Sequence, residues 1–483
     1  MGVLQQLDPQ RVFYYFEEIT KIPHGSGNVE AISNYLAEFA RSHNLFYIQD
    51  KWKNIIIIKE AAPGYEQEPP VILQGHMDMV AVKTPDCPID LETQGLQVAV
   101  DGDKVYAKGT SLGGDDGIAV AYALAILESD TIRHPRLEVV LTVDEEVGME
   151  GATGIDLSML TAKRMLNLDS EDEGILLTSC AGGVRQKCTL MLQQREQRGR
   201  AYEITVSGLL GGHSGMEIHK GRGNAINLLG RVLWSLLQKL DISLIAANGG
   251  EADNVIPKEA RAVVFLENGT KQELSGLVKK IEEELTEELA AKEKTVQIKL
   301  TELDERTCMS VTLQDTRKAA GFLWGLPNGV QTMSAQVKDL VECSLNLGVL
   351  QLDRGELTVT LLLRSSVESA KKALVEKVAA ITGLAGGSYT ISGDYPGWRY
   401  RIHSPLREKM VRIYERMYGE KPKVEAVHAG LECGILAGKI EDLDCVSFGP
   451  QMENIHTTEE TLSIASTKRV WEYLLKVLEE REE

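Results

Sequence analysis

The sequence predicts an α/β fold with a mostly parallel central sheet, interrupted by an inserted α+β domain. Three observations carry this. Strand-like runs alternate with helical periodicity over residues 1–185. From 186 to 400 the pattern changes to strand–helix–strand–strand–helix–strand, and this order then recurs. After 400 the α/β alternation returns. The organisation expected is therefore 1–185 and 401–483 as two parts of one domain, with 186–400 as an insertion built from two α+β repeats. A chain of 483 residues has room for this, since domains usually run to about 100–200 residues.

The elements follow in order. Asp8-Pro9 reads as an N-cap followed by proline at the first helical position, and Val12, Phe13, Phe16 and Ile19 then recur at helical spacing. A second helix is expected from about Asn28 to Ser42. Strands are expected at Asn54–Ile58, Val71–Leu73, Leu137–Val143 and Met165–Leu168, with the apolar helix Ile118–Leu127 among them. In the insertion, Tyr202–Ser207, Ile242–Ala247, Ala260–Glu267 and Thr295–Leu303 read as strands. Asn224–Leu240 reads as a helix. Thr270 starts another, with Glu273 completing a capping box. The second round has helices near Thr316–Trp324 and Val367–Ile381. Its strands are Glu342–Leu350, Glu356–Arg364 and Tyr389–Ser392. Beyond 400, Ser404-Pro405 caps a helix stopped at Gly419, Cys445–Phe448 is a buried strand, and Ser466–Glu480 is the last helix.

Charge and composition exclude several functions. The formal net charge is −19, from 52 Lys+Arg against 71 Asp+Glu. That argues against nucleic acid, which needs clustered cations, and against an anionic membrane surface. The longest apolar run, Ile118–Leu127, is far short of the roughly 20 residues that span a bilayer. The first ten residues lack the basic and apolar regions of a secretory leader, and the seven cysteines are scattered. Both features point to reduced thiols in the cytoplasm.

Several predicted strands end in acids or histidine. Val71–Leu73 runs into Gln74-Gly75-His76-Met77-Asp78, Leu137–Val143 into Asp144-Glu145-Glu146, and Met165–Leu168 into Asp169. Ligands of open α/β sheets bind beyond the carboxyl ends of the strands. Carboxylates gathered there repel unless a cation neutralises them. His76-x-Asp78 suits one metal, with the acid holding the imidazole. In Ser111–Gly117, Asp115 and Asp116 precede the apolar helix. One acid is enough for a cap, so the other is available to bridge two cations. A phosphate-cradling loop is disfavoured there, because the Gly-Lys-Ser/Thr ending is absent and the acids repel phosphate. Glu145 and Glu146 point in different directions on an extended segment, which allows one to be a ligand and the other a general base. His213, flanked by glycines in an exposed loop, reads either as part of a turn or as a mobile donor to a substrate oxygen. Cys433 with His428 offers a thiol nucleophile, but this leaves the acids unexplained.

Together these motifs resemble the co-catalytic metallopeptidases that include aminoacylase, glutamate carboxypeptidase and the dipeptidases. The likeness rests on HMDMV at 76–80, GTSLGGDDGIA at 109–119, DEEVGMEGA at 144–152, NLDSEDEG at 167–174, CAGG at 180–183, GGHSG at 211–215, NVIP at 254–257, YPGW at 395–398 and HAGLECG at 428–434. It implies a zinc-exopeptidase-like catalytic domain interrupted by a lid domain, duplicated in some dipeptidases. It implies two divalent ions, zinc in the first place, with cobalt or manganese able to substitute. His76, Asp115 and Asp169 would hold one ion. Asp115, Glu146 and His456 would hold the other. Glu145 matches the general base, Asp78 the acid behind His76, and His213 the lid histidine that assists the scissile carbonyl. Arg364 and Asn254 are the candidates for the substrate carboxylate. Relatives often carry Asp-Asn where this chain has Asp115-Asp116.

The expected function is hydrolysis of dipeptides, Xaa-His or broader, by a cytoplasmic enzyme that has no nucleic-acid or membrane partner and that a homodimer would suit. The alternatives are a deacylase of N-acyl amino acids with the same metals, and a metal-binding protein without catalysis.

Overall fold

The structure is a computed structural model in which residues 2–481 are described. It divides into two compact units. The first comprises the chain up to Ser179, Trp398–Ala426 and the chain from Leu431; the second comprises Cys180–Gly397 and Val427–Gly430. The divisions fall a few residues from those expected at 185 and 400. The short segment 427–430 joins the second unit because Ala181 N–H donates to the Ala429 carbonyl at 3.0 Å and His428 Nε2 lies 2.7 Å from Ser344 Oγ.

The first unit is built on an eight-stranded sheet. Its order is Phe46–Gln49, Ile55–Lys59, Leu137–Thr142, Val71–His76, Arg164–Asn167, Asp444–Ser447, Ile175–Cys180, Lys423–Val427. The four strands from Leu137–Thr142 to Asp444–Ser447 are parallel to one another, and Phe46–Gln49 and Ile55–Lys59 extend the sheet antiparallel. Val71–His76 and Leu137–Thr142 are buried at every position. That continuous burial marks parallel strands covered on both faces. The helix Gly114–Glu128 is buried from Gly114 to Leu127, so it carries apolar residues all round rather than a stripe. It approaches the sheet at Gly75, where a Cβ would lie 2.4 Å from Asp116 Oδ2 and 2.6 Å from the Ala119 Cβ. Only glycine leaves that space.

Local signals mostly hold, with one difference at the start. The first helix, Gln10–Thr20, has Pro9 at its N-cap and no side-chain cap. The Asp8 carboxylate pairs with Lys468 at 2.6 Å instead. Ser404 caps Pro405–Tyr418 by accepting from Arg407 N–H, and Gly419 ends it at φ 78°. A small sheet, ordered Met452–Glu453, Thr461–Ser463, Lys104–Ala107, Val98–Asp101, was not expected. Its first two strands pair antiparallel and hold the intervening loop that carries His456 and Glu460. Among the described residues, no helix is long and apolar enough to cross a membrane.

The second unit has a sheet ordered Gln297–Val311, Gln194–Ser207, Ala260–Asn268, Asp241–Gly249, Val341–Asp353, Glu356–Ser365, Gly182–Met191, Ser388–Tyr395. Read inward from either edge, the strands follow one order: last, first, third and second of a β-α-β-β-α-β unit. The two halves meet at three residue pairs, Ala247↔Leu352 to Gly249↔Leu350. The capping box at Thr270 and Glu273 is present on Lys271–Leu289.

A candidate metal centre and a histidine–arginine cluster

The parallel strands of the first unit deliver His76, Glu145, Glu146 and Asp169 from their carboxyl ends to one place. His76 Nε2 lies 3.0 Å from Asp115 Oδ1 and 3.6 Å from Asp169 Oδ1. His456 Nε2 lies 3.1 Å from Asp115 Oδ2 and 2.9 Å from Glu146 Oε1. Asp115 thus offers one oxygen to each histidine. Among the described residues, potential ligand atoms form three overlapping groups within 4.8 Å: His76, Asp116 and Asp169; His76, Glu145 and Glu146; Asp115, Glu146 and His456. Asp116 joins the first of these, while its Oδ2 accepts the His76 main-chain N–H at 3.1 Å. It does not cap the helix.

Asp78 lies behind His76. Its carbonyl is 3.0 Å from His76 Nδ1 and its Oδ1 is 3.4 Å away, so the main chain is the nearer partner of the ring. Its carboxylate accepts from Ser26 Oγ at 2.8 Å and from Glu145 N–H at 3.1 Å. Asp78 therefore ties the histidine to the Glu145 turn. His456 has a left-handed main chain, φ 62°, a conformation that costs a non-glycine residue roughly 1–3 kcal/mol and clusters at functional sites.

The electrostatics report too much negative charge for the protein groups alone. Burial pushes Asp169 up to about 6, reinforced by Asp115 and Glu146 against the opposing His76. Burial, with Asp169, Glu432 and Glu146 close by, raises Glu145 well above the carboxylate range. The hydrogen bonds and charges of Asp115 and Glu146 lift His456 to about 10. Burial works against charge on His76, yet the surrounding acids raise it well above 6.5. Asp116 Oδ1 is buried without a hydrogen-bond partner. Two imidazoles, a shared carboxylate, the Glu146 and Asp169 carboxylates and an orphaned Asp116 oxygen form a donor set that fits divalent cations.

Two residues that sequence reasoning missed build this site. Glu460, 3% exposed, accepts from the amides of Leu112 (2.8 Å), Gly113 (3.1 Å), Gly114 (2.8 Å) and Asp115 (3.5 Å). It takes the capping role expected of the aspartates and occupies the amides that a phosphate would need. Glu432 is fully buried. Its Oε2 accepts from Gln74 Nε2 (2.6 Å) and Thr142 Oγ1 (2.5 Å), and Gln74 Oε1 accepts from Asn167 Nδ2 (2.5 Å). The network ties the three central strands together just behind their ligand ends. Burial pushes Glu432 up to about 8. Its neighbour Cys433 is buried with its sulfur 3.6 Å from Cys445 Sγ, and burial raises the thiol pKa, which makes it a poor nucleophile. No disulfide links the cysteines.

The second unit gathers His213, Arg364 and His428. A Cβ on Gly215 would lie 3.1 Å from His213 Cε1, 3.2 Å from Arg364 Nε and 2.4 Å from the His428 carbonyl, so glycine is required where the three converge. His213 Nδ1 accepts the amides of Gly215 (3.2 Å) and Met216 (3.0 Å). That fixes the neutral tautomer with its proton on Nε2. Burial, then Arg364, keeps the His213 pKa below 6.5. Arg364 is 5% exposed, donates to Tyr395 Oη at 3.1 Å, and leaves Nε buried without a partner. Asn254 is exposed and joins the cluster through its main chain, its carbonyl accepting Ser214 N–H at 2.8 Å.

Comparison with known proteins agrees with this architecture. Residues 72–480 match the model of peptidase family M20/M25/M40. The chain is 37% identical to the cytosol non-specific dipeptidase of Escherichia coli (strain K12) over 99% of each chain. The crystal structure of aminoacylhistidine dipeptidase from Vibrio alginolyticus superposes with TM-score 0.93 at 36% identity, covering 100% of this chain and 99% of that one. An aminopeptidase from Bacillus cereus, at TM-score 0.56 and 15% identity over 98% of each chain, shares the fold. The chain belongs to peptidase family M20/M25/M40.

Proposed function

We propose that this protein is a metal-dependent dipeptidase. The observation that carries the reading is the Asp115 carboxylate held between two histidine Nε2 atoms, at 3.0 and 3.1 Å, with Glu145 within 4.8 Å of the ligand atoms of His76 and Glu146. His76, Asp115 and Asp169 would hold one divalent ion, and Asp115, Glu146 and His456 a second; zinc suits the imidazole and carboxylate donors, with cobalt or manganese as substitutes. Bound there, the ions supply Lewis acidity toward the scissile carbonyl and an acidified water.

The chain's own groups do the rest. Glu145, not needed as a ligand, takes a proton from the attacking water and returns it to the leaving amine nitrogen. Asp78 keeps His76 oriented and fixes the Glu145 main chain. His213 donates from Nε2 to the developing oxyanion. Arg364 pairs with the terminal carboxylate of the substrate, bidentate geometry suiting its guanidinium, with Asn254 as a further contact. Dipeptides as substrates fit the names of the Escherichia coli and Vibrio relatives, and a cytosolic location fits the former.

The test is a dipeptide panel that includes Xaa-His members, assayed with metal-reconstituted enzyme. Activity on free dipeptides, lost on chelation and restored by zinc, with two ions per chain by elemental analysis, is the expected result. Cleavage confined to N-acylated amino acids, or full activity with one ion, would overturn it.

A further inference from the structure

The motifs CAGG at 180–183 and YPGW at 395–398 have no place yet in the chemistry. Gly183 and Tyr395, one from each, belong to the second unit together with Arg364. Gly183 lies on the strand Gly182–Met191 between two partners. It is opposite Arg364 of Glu356–Ser365 on one side and opposite Tyr395 of Ser388–Tyr395 on the other. Directly opposed residues of antiparallel strands project to the same face of a sheet. Arg364 and Tyr395 therefore stand on one face, two strand spacings or about 10 Å apart, with the glycine between them.

The missing side chain lets the outer two meet. A Cβ on Gly183 would lie 2.5 Å from Tyr395 Oη and 2.6 Å from its Cζ, so the phenol ring occupies the space above the glycine. From there its hydroxyl reaches Arg364 Nη1 at 3.1 Å. A guanidinium has no acceptor, so Arg364 donates and Oη accepts. Among the described residues, Tyr395 is the hydrogen-bond partner of this guanidinium. The tyrosine is itself anchored: its carbonyl accepts from Lys371 Nζ at 2.7 Å, and that ammonium, on a side chain buried to 2% exposure, also donates to Asp394 Oδ1 at 2.6 Å. Bidentate pairing of arginine with a carboxylate depends on the plane of its fork, and a fixed contact at Nη1 sets that plane.

Resting on the dipeptidase reading and its assignment of Arg364 to the terminal carboxylate, we propose that Tyr395 is a positioning residue that aims the Arg364 guanidinium at that carboxylate. Its hydroxyl thereby sets the preference for substrates with a free C-terminus, and Gly183 is the gap through which it acts.

The experiment measures kcat and KM of the holoenzyme for Ala-His and for its C-terminal amide, in wild type, Tyr395→Phe, Arg364→Ala and the double variant. Tyr395→Phe keeps the ring above Gly183 and removes the hydroxyl. The expected result is a fall of about tenfold in the acid-to-amide ratio of kcat/KM, the low end for a hydrogen bond to a charged group. The fall is carried by KM for Ala-His, with kcat and melting temperature unchanged. In the Arg364→Ala background the same substitution should change the ratio by less than about twofold, because the group it acts through is gone. A Tyr395→Phe ratio within about threefold of wild type overturns the proposal, and the dipeptidase reading stands if Arg364→Ala still lowers the ratio. An equal loss on both substrates, or a further fall in the double variant, overturns it as well, since either marks a role that does not pass through Arg364. Wild type that cleaves Ala-His and its amide equally overturns the Arg364 assignment and the proposal with it. Wild type that cleaves neither overturns the dipeptidase reading, on which both rest.

Discussion

Replacing Glu460 by glutamine removes one of the two oxygens that hold the loop before the buried helix. In the native protein Oε2 serves Leu112 at 2.8 Å and Gly113 at 3.1 Å, while Oε1 serves Gly114 at 2.8 Å and Asp115 at 3.5 Å. An amide offers one acceptor. Its least costly orientation keeps the oxygen on Leu112 and Gly113, because the other pair contains the long bond. Gly114 N–H then faces a donor. A buried N–H left unsatisfied costs about 1–3 kcal/mol, and the two retained bonds lose charge assistance. Relief of repulsion with Asp115 works the other way, since that repulsion contributes to the raised Glu460 pKa, where burial is the larger cause. The relief is small, because Asp115 already lies against two histidines. The net expectation is a destabilisation of about 2–4 kcal/mol, with weaker metal binding because Asp115 sits on the disturbed loop. Urea unfolding of the chelated protein measures the first, and competition with a chromophoric chelator the second. A variant within about 0.5 kcal/mol of wild type, with equal zinc affinity, would refute the account of Glu460 as the loop's anchor.

Glu145→Gln should lower turnover by roughly 10²–10⁴ with metal content kept, whereas Glu146→Gln should lose metal; elemental analysis beside kcat separates them, and the reverse pattern would exchange the roles. His213→Ala should cost on the order of 10²–10³ in kcat with little change in KM; a loss under roughly tenfold, below the range for a lost oxyanion donor, removes it from the mechanism. Glu432 has its pKa raised from 4.5 to about 8 by burial. Its contribution to stability is therefore complete below the unfolded value and is lost as pH rises through about 8. Metal-free wild type should lose stability over that window, by at most about 1.4 kcal/mol per pH unit from this one group. Denaturation at several pH values should show a smaller slope in Glu432→Gln, and an unchanged slope would assign the loss to other acids.

The proposed ligand positions His76, Glu146 and Asp169 could be read from the sequence because each follows an apolar run, whereas Asp115 and His456 were implied by the family resemblance. Once Val71–His76 and Leu137–Thr142 are central parallel strands, the residues just beyond them share one edge. Glu460 could not be read, since nothing in Thr-Glu-Glu-Thr distinguishes a buried anchor from a solvated turn. The expected aspartate cap at Gly114–Glu128 failed for the same reason: the cap comes from a residue more than 300 positions away. Glu432 lies beside Cys433, the residue of the HAGLECG motif with evident chemistry, while its own role depends on Gln74 and Thr142 on two other strands. In the second unit, helices and strands were legible from periodicity. The recurrence of their order was read as well, but the first strand of the second half was not, because Gly182–Met191 precedes the half opposite to the one it completes.

That displaced strand bears on how the chain comes to be folded as it leaves the ribosome. Gln194–Ser207, Asp241–Gly249, Ala260–Asn268 and Gln297–Val311 pair only among themselves and with Val341–Asp353, so four strands can assemble once residue 311 has emerged. Gly182–Met191 is made earlier, but its partners begin at Glu356, 165 positions after Met191 (356 − 191), and at Ser388. It must wait as an unpaired β segment while more than a third of the protein is synthesised. At about 5–20 residues per second, that is a delay of roughly 10–30 seconds. Pairings this distant in sequence form slowly, and waiting edges invite association with other chains. During synthesis, the half of this sheet most exposed to misassembly is therefore the one whose first strand was made before its neighbour's.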